Sequence, residues 1–264
     1  MGKKAEKTQK LDEIVISRAI IEEFTKDFLE YLEVDVAIVG AGPAGMTAGY
    51  YLAKKKKKVA IFERKLSVGG GMWGGGIMLN RCVFQEVSKS ILDEIGVRTS
   101  KYRKGYYTTD SLETVSTLCS TAIKAGVRIF NLLSVEDVMI RKDIITGLVL
   151  NWSAVSLANL HVDPITARAK YIVDATGHDA EIVRIVTRKI GKKLYTETGD
   201  LLGEKPMWAE IGEKTIVENT KKVYPNLYVA GMAANAVFGG PRMGPIFGGM
   251  LLSGQRVAEL ILSR

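Results

Sequence analysis

The sequence predicts an α/β protein, namely a single Rossmann-like dinucleotide-binding fold with an inserted antiparallel β-meander. Residues 34–64 follow the order strand, glycine turn, helix, strand, and two later apolar runs, at 171–177 and 227–231, also end in small residues. Between these regions β-branched runs recur at short spacing, which is typical of a meander. With 264 residues, of which 47% are hydrophobic and 25% charged, the chain suits one domain over residues 1–264.

The glycine turn follows the apolar run 36–39 and reads Gly40-Ala-Gly42-Pro-Ala-Gly45. Gly40 would allow the tight turn, Gly42 has no Cβ to keep a pyrophosphate away, and Gly45 would let the helix lie close to the strand. Glu63 ends the second strand, 18 residues after Gly45, where it can accept hydrogen bonds from ribose hydroxyls. The alternative is a glycine-rich helix entry that binds nothing, but the two strands and the acid favour a dinucleotide site.

The remaining elements follow from local patterns. Residues 1–10 are expected to be disordered. The stretch 67–76 has six glycines in ten residues, and it is either a flexible loop or a second backbone surface against a ligand; its position after Glu63 favours the ligand. The antiparallel insertion is expected at about 127–155, with strands at 127–132, 135–140 and 144–155. Apolar spacing and capping residues predict helices, at about 17–32, 84–95, 111–125 and 247–262.

Composition argues against several classes of protein. The net charge of +8 raises nucleic acid as a partner, but the lysine run 54–58 is read as a solvated edge, and no aromatic platform or nucleic-acid motif accompanies it. Two stretches without charged residues, 144–162 and 226–241, are too interrupted or too short to span a membrane. Two cysteines and a polar N-terminus predict a cytoplasmic protein without a disulfide framework.

Two features suggest chemistry beyond dinucleotide binding. His161, Asp163 and His178 fall within one window of 18 residues, and His178 follows a predicted strand end. Two imidazoles and a carboxylate suit Fe(II) or Zn(II), although spacing alone leaves structural histidines as an equal alternative. Arg242 stands alone in an uncharged, glycine-rich loop, which suggests bidentate capture of a carboxylate or phosphate rather than an ordinary surface arginine.

Several motifs resemble known families. The strand ends AIVGAG, IVDATG and LYVAGM are similar to those of the FAD/NAD-binding superfamily, with room here for one dinucleotide. Together with GGGMW, HVDP, DATGHD and the later RMGP, they make the chain resemble the thiamine thiazole synthase family from about residue 11 to the C-terminus. The resemblance implies that NAD is a substrate. Nicotinamide leaves, glycine condenses with the ADP-ribose, sulfur is added, and an ADP-thiazole carboxylate is released.

The resemblance also implies roles for particular residues. Those expected around the adenosine and pyrophosphate are Ala44, Glu63, Arg64, Gly71 and Val135. The residues expected near the ribose-derived part are His161, Val162, Asp163 and Met232. Arg242 would hold the glycine carboxylate, while Asp163 and His178 would bind Fe(II) from neighbouring subunits. A homo-oligomer with shared active sites is therefore expected.

One position departs from the eukaryotic members of the family, in which a cysteine gives up its own sulfur. Here that position is His161, which has no sulfur to donate. The chain therefore resembles the archaeal, sulfide-dependent type, with Fe(II) as cofactor and with His161, Asp163 and His178 as the expected catalytic residues. A histidine also suits the proton transfers that convert the imine to a ketone.

Three other functions remain open at this point. An FAD-dependent oxidoreductase of the same superfamily would purify with yellow flavin. A ribose bisphosphate isomerase would need clustered basic residues, whereas the motif loops offer mainly Arg64 and Arg242. A non-enzymatic NAD sensor would leave Asp163 and His178 without a role.

Overall fold

The structure is a computed structural model that describes residues 10–264, so the segment 1–10, for which disorder is expected, lies outside it except for Lys10. The helices of the described chain are α1 (Glu13–Glu30), α2 (Pro43–Lys54), α3 (Lys89–Ile95), α4 (Ser111–Lys124), α5 (Ser153–Leu157), α6 (Glu181–Ile190), α7 (Ala209–Asn219), α8 (Met232–Phe238) and α9 (Gly248–Leu262). The strands are β1 (Glu33–Val39), β2 (Val59–Glu63), β3 (Arg81–Gln85), β4 (Ser100–Arg103), β5 (Tyr106–Asp110), β6 (Arg128–Asn131), β7 (Leu133–Arg141), β8 (Ile144–Trp152), β9 (Ile165–Asp174), β10 (Lys222–Tyr224) and β11 (Leu227–Val229).

The main sheet has a parallel centre, as the sequence predicts. Its order is β10-β11-β9-β1-β2-β6, and β11, β9, β1, β2 and β6 run parallel to one another. Because β1 and β9 are parallel, their carboxyl ends lie at one edge of the sheet. A helix follows each of these strands after a short turn. In open α/β sheets ligands bind at this edge. The predicted α/β fold class is confirmed.

Both faces of the sheet are covered, because successive side chains of β1 point to opposite sides. Val36 and Ile38 belong to a core with α2, α4 and α9, whereas Ala37 and Val39 belong to a second core with α6 and α8. All four side chains are buried. A buried parallel strand of this kind reads as an unbroken apolar run, which is why the sequence revealed it.

The antiparallel insertion is present, and a strand does form within the predicted range 127–132, but its assignment to the insertion is wrong. Residues 128–131 form β6, which pairs in parallel with β2 and belongs to the sheet centre. The physical reason is that α4, which precedes β6, returns the chain to the end of the sheet where β2 begins. The strand β6 therefore runs parallel to β2. The antiparallel strands are β7, β8 and the first half of β9, whose second half pairs with β1.

A second, three-stranded antiparallel sheet, in the order β3-β5-β4, has no counterpart in the prediction. The helix expected at 84–95 begins only at Lys89, because 81–85 forms β3. Cys82 and Phe84 are both fully buried while their neighbours are not, a period of two that outweighs the helical spacing. By contrast, Asp110 caps α4 as expected, with its Oδ1 2.8 Å from the Leu112 backbone nitrogen.

Apolar side chains also remain at the surface. Helix α1 begins four residues before the predicted start and has no buried residue, and Ile14, Ile20 and Ile21 are more than 60% exposed. The segment between α5 and β9 exposes Leu160 and Val162, and Ile165 at the start of β9 is exposed as well. Within residues 10–264, no helix has the length and apolar character to cross a bilayer.

Candidate functional site

The glycine turn between β1 and α2 has the predicted geometry. Gly40 has a φ of +99°, and a Cβ there would lie 2.5 Å from the Ala175 carbonyl oxygen. A Cβ on Gly45 would lie 2.1 Å from the Gly40 carbonyl oxygen, so only glycine lets α2 approach so closely. A Cβ on Gly42 would meet no atom within 4 Å. The space beside Gly42 is therefore open to a ligand.

These surroundings predict opposite defects for two neighbouring substitutions. Gly42→Ala is expected to fold with the stability of the unchanged protein but to bind NAD weakly, because the methyl group enters the space in which the sequence predicts the pyrophosphate. Gly45→Ala is expected to lower the free energy of unfolding by about 1–3 kcal/mol, because the methyl group overlaps backbone. Denaturant unfolding and calorimetric NAD binding measure the two effects. Unimpaired NAD binding by Gly42→Ala would contradict this assignment.

Glu63 lies beside the turn, at the carboxyl end of β2. Its side chain is buried, and its Oε2 accepts a hydrogen bond of 2.8 Å from the Ala41 backbone nitrogen. Its Oε1 accepts one of 2.9 Å from the Lys65 backbone nitrogen. The two bonds fix the carboxylate at the turn, where the sequence predicts the ribose-binding acid.

A cavity of about 910 Å³ opens at this edge of the sheet. The glycine-rich run 67–76 contributes Gly70, Gly71, Gly75 and Gly76 to its wall, so this run lies against the cavity. The cavity brings together eight of the predicted site residues, namely Ala44, Glu63, Arg64, Gly71, Val135, His178, Met232 and Arg242.

The other three predicted site residues do not line the cavity of the same chain. His161, Val162 and Asp163 lie in the irregular segment before β9, and all three are exposed. The side-chain amide of Asn151 donates to the Val162 carbonyl oxygen at 3.0 Å and anchors the segment. Within residues 10–264 of one chain, no three His, Cys, Asp or Glu side chains form a group that could hold a metal ion. The window of His161, Asp163 and His178 is thus not a metal cluster within a single chain.

His178 lies in a turn that is stabilised by hydrogen bonds to the buried side chain of Asp174. Asp174, the last residue of β9, is fully buried, and burial raises the pKa of its carboxyl group. Its Oδ1 accepts hydrogen bonds from the backbone nitrogen and the hydroxyl of Thr176, and its Oδ2 accepts one from the Val183 backbone nitrogen. The side chain thereby ties the end of β9 to the first turn of α6, and His178 is presented at the cavity wall.

Arg242 lies in a loop that Asn235 fixes. The Asn235 amide nitrogen donates to the carbonyl oxygens of Gly212 and Pro241, at 3.2 and 3.0 Å. The Arg242 side chain is 58% exposed and lines the cavity. A guanidinium on an anchored loop can bind a carboxylate or a phosphate through two parallel N–H donors.

Two glutamates contact predicted site residues and had no signal in the sequence. Glu181 forms an ion pair with Arg64, and its pKa is raised by burial while Arg64 acts in the opposite direction. Glu204 lies between His178 and Arg242, with its Oε1 2.6 Å from His178 Nδ1 and its Oε2 4.0 Å from Arg242 Nε. All three contacts join residues that are far apart in the chain, and neither glutamate belongs to a recognisable motif.

The parallel sheet, the glycine turn, the acid at the end of β2 and the cavity at the strand ends define a protein with a Rossmann-like dinucleotide fold. The sequence model of the Thi4 family matches residues 17–247, and the chain belongs to this family.

Relatives from archaea and bacteria resemble the whole chain. The thiamine thiazole synthase of Methanothermobacter thermautotrophicus is 63% identical over 255 residues, which covers 97% of this chain and 99% of that protein. The protein of the same name from Pyrococcus furiosus is 55% identical over 255 residues, covering 96% and 98%. The crystal structure of Thermovibrio ammonificans THI4 matches with a TM-score of 0.95 at 53% identity, covering 96% and 98% of the two chains.

Proposed function

We propose that this protein is a thiamine thiazole synthase that converts NAD, glycine and sulfide into an ADP-thiazole carboxylate, with release of nicotinamide and with Fe(II) as cofactor. The observation that supports this most is that one cavity of about 910 Å³ combines the glycine turn and Glu63 with His178 and Arg242. Its walls supply groups that can bind a dinucleotide and a carboxylate, and a histidine that can bind a metal ion. Relatives that match nearly the whole chain carry the name thiamine thiazole synthase, which supports the thiazole-forming part of the proposal.

In this proposal the turn after β1 binds the pyrophosphate. The amino end of α2 offers backbone N–H groups, and Gly42 leaves the approach open. The Glu63 carboxylate accepts hydrogen bonds from the adenosine ribose, and Arg64, Gly71 and Val135 complete the binding of the ADP part.

Arg242 binds glycine by its carboxylate. Loss of nicotinamide leaves an electrophilic anomeric carbon, and the glycine amine attacks it. When both reactants are held in one cavity, the condensation becomes effectively unimolecular, which lowers its entropic barrier. The anchored backbone around Arg242 supports this positioning role.

Arg242→Lys is expected to bind NAD normally and to use glycine poorly. Lysine keeps the charge but loses the planar pair of donors, a change of about 1–3 kcal/mol in a charge-assisted contact. Steady-state kinetics should therefore give a raised KM for glycine and an unchanged affinity for NAD. Arg188→Lys, at an exposed arginine on α6, is the matched control. An unchanged KM for glycine would assign the carboxylate to another residue.

The residues expected to hold Fe(II) have suitable donor atoms. His178 offers an imidazole nitrogen at the cavity wall, and Asp163 offers an exposed carboxylate; both donor types suit Fe(II). When bound, Fe(II) would act as a Lewis acid that favours hydrosulfide over hydrogen sulfide at neutral pH and so supplies a sulfur nucleophile.

A second copy of the chain is proposed to bring Asp163 to the cavity. The segment that contains Asp163 is exposed in the single chain, and Leu160, Val162 and Ile165 around it are exposed and apolar. An apolar segment of this kind would be buried by docking against the cavity rim of a neighbouring subunit. His161 would enter the same site and move protons during tautomerisation of the imine. The protein is therefore proposed to be a homo-oligomer with shared active sites.

The cysteines support external sulfide as the sulfur source. Cys82 is fully buried, and burial raises its pKa to about 12, so a nucleophilic thiolate is disfavoured. Burial also raises the pKa of Cys119. Neither residue lines the cavity.

Identification of the small molecule that the purified protein releases on denaturation tests the proposal directly. An adenylated thiazole or ADP-ribose derivative, found by mass spectrometry, is the expected result. Flavin in stoichiometric amount would instead indicate an oxidoreductase and overturn the proposed function.

A further inference from the structure

We infer that Glu204 is a positioning residue, whose carboxylate fixes His178 in the tautomer that carries its proton on Nδ1. The free lone pair of His178 then lies on Nε2. The hydrogen bond itself does not depend on the proposed function; the inference rests on that function only in assigning the use of Nε2 as a metal ligand.

The contact has the geometry of a strong hydrogen bond. Glu204 Oε1 lies 2.6 Å from His178 Nδ1, shorter than an ordinary N–H···O bond, as expected when the acceptor is a charged carboxylate. The Glu204 side chain is only 17% exposed, whereas that of His178 is 49% exposed. Glu204 is thus the enclosed partner, and His178 is the partner that reaches into open space at the cavity.

The chemistry of the two groups determines the direction of the bond. A carboxylate has only acceptor sites, so His178 Nδ1 must donate. A neutral imidazole has a single N–H, and Nε2 is therefore the acceptor nitrogen. Histidines that bind metals usually have such a carboxylate on the other ring nitrogen, which fixes both tautomer and ring orientation.

The backbone around Glu204 holds its side chain in place. The Gly203 nitrogen donates to the Ala236 carbonyl oxygen at 2.9 Å, and the Lys205 nitrogen donates to the Gly240 carbonyl oxygen at 3.0 Å. These bonds tie the Glu204 segment to the end of α8 and to the loop before Arg242. His178 is attached to a different element, the turn after β9, so Glu204 joins two separately anchored walls of the cavity.

The second oxygen of Glu204 makes a looser contact. Its distance to Arg242 Nε is 4.0 Å, much longer than the contact with His178. In Glu204→Gln, the amide oxygen can still accept the hydrogen bond from His178 Nδ1, while the negative charge near Arg242 is lost. Glu204→Ala removes both. The pair of variants separates the hydrogen bond to His178 from the charge.

The tautomer can be measured in the metal-free protein by ¹⁵N NMR of labelled histidine, at alkaline pH where imidazole is neutral. The chain has only two histidines, so a His161→Asn variant assigns the signals. The wild type and Glu204→Gln are expected to carry the His178 proton on Nδ1, and Glu204→Ala is expected to move it towards Nε2. A wild-type proton on Nε2, or an unchanged tautomer in Glu204→Ala, would overturn the inference.

Anaerobic titration with Fe(II) measures the consequence. Glu204→Ala is expected to bind Fe(II) about 10–100-fold more weakly, and Glu204→Gln to stay close to the wild type. Glu218→Gln, at an exposed carboxylate on α7, is the control and should change neither quantity. Equal loss of affinity in Glu204→Gln and Glu204→Ala, with the tautomer kept in Glu204→Gln, would contradict positioning by this bond. Full Fe(II) binding by His178→Ala would instead refute the iron site of the proposed function, and the tautomer would still decide the role of Glu204.

Discussion

Asp163→Ala and His178→Ala are each expected to abolish thiazole formation and Fe(II) binding while leaving the fold intact. Both side chains are exposed, so truncation leaves no core cavity, but each removes one of the two protein ligands proposed for the metal. Product analysis, metal analysis and thermal unfolding measure the three properties. Glu210→Ala, at another exposed carboxylate, serves as the control. Full iron content and activity in either variant would refute the metal assignment.

A mixture of the two inactive variants tests whether the site is shared. If Asp163 and His178 come from different subunits, random assortment leaves about one site in four with both ligands intact. Recovery of about a quarter of the wild-type activity is therefore expected after subunit exchange. No recovery, with exchange verified by mass spectrometry, would show that both ligands belong to one chain.

The unchanged protein is expected to make many thiazoles per subunit from NAD, glycine, Fe(II) and sulfide, and none without sulfide. The reason is that His161 has no sulfur and that the Cys82 thiol is buried with a raised pKa. Product counting and intact-mass measurement provide the test, and the mass of the chain should not change. Product without sulfide, together with a mass loss at Cys82 or Cys119, would overturn the sulfide-dependent assignment.

His161→Cys extends this test. The substitution places a thiol two residues from Asp163, at the position to which the resemblance assigns the sulfur donor of the eukaryotic members of the family. Up to one thiazole per subunit is expected without added sulfide, and the chain should lose the mass of hydrogen sulfide. The alanine variant at the same position is the control, because it cannot donate sulfur.

The sequence by itself determined the glycine turn and the acid beside it, to which the proposal assigns dinucleotide binding. Gly40, Gly42, Gly45 and Glu63 lie within 24 residues, and their roles depend on backbone freedom and on the order strand, turn, helix, strand. The cap at Asp110 is local in the same sense. The structure has the predicted glycine turn and the predicted cap. Dihedral preferences and capping bonds act over a few neighbouring residues, so sequence patterns record them directly.

Only the tertiary structure decided which distant groups meet. The sequence marked His178 and Arg242 as candidates, but Glu204 is recognisable only because its loop is tied to α8, which places it against a histidine 26 residues away. Arg64 and Glu181 are 117 residues apart, and the sheet of β3, β4 and β5 depends on strand pairing that no local pattern specifies. The exposed position of Asp163, outside the cavity of its own chain, was likewise visible only in three dimensions. Such contacts depend on how loops from several strands are packed at one sheet edge, and that packing is a property of the whole fold.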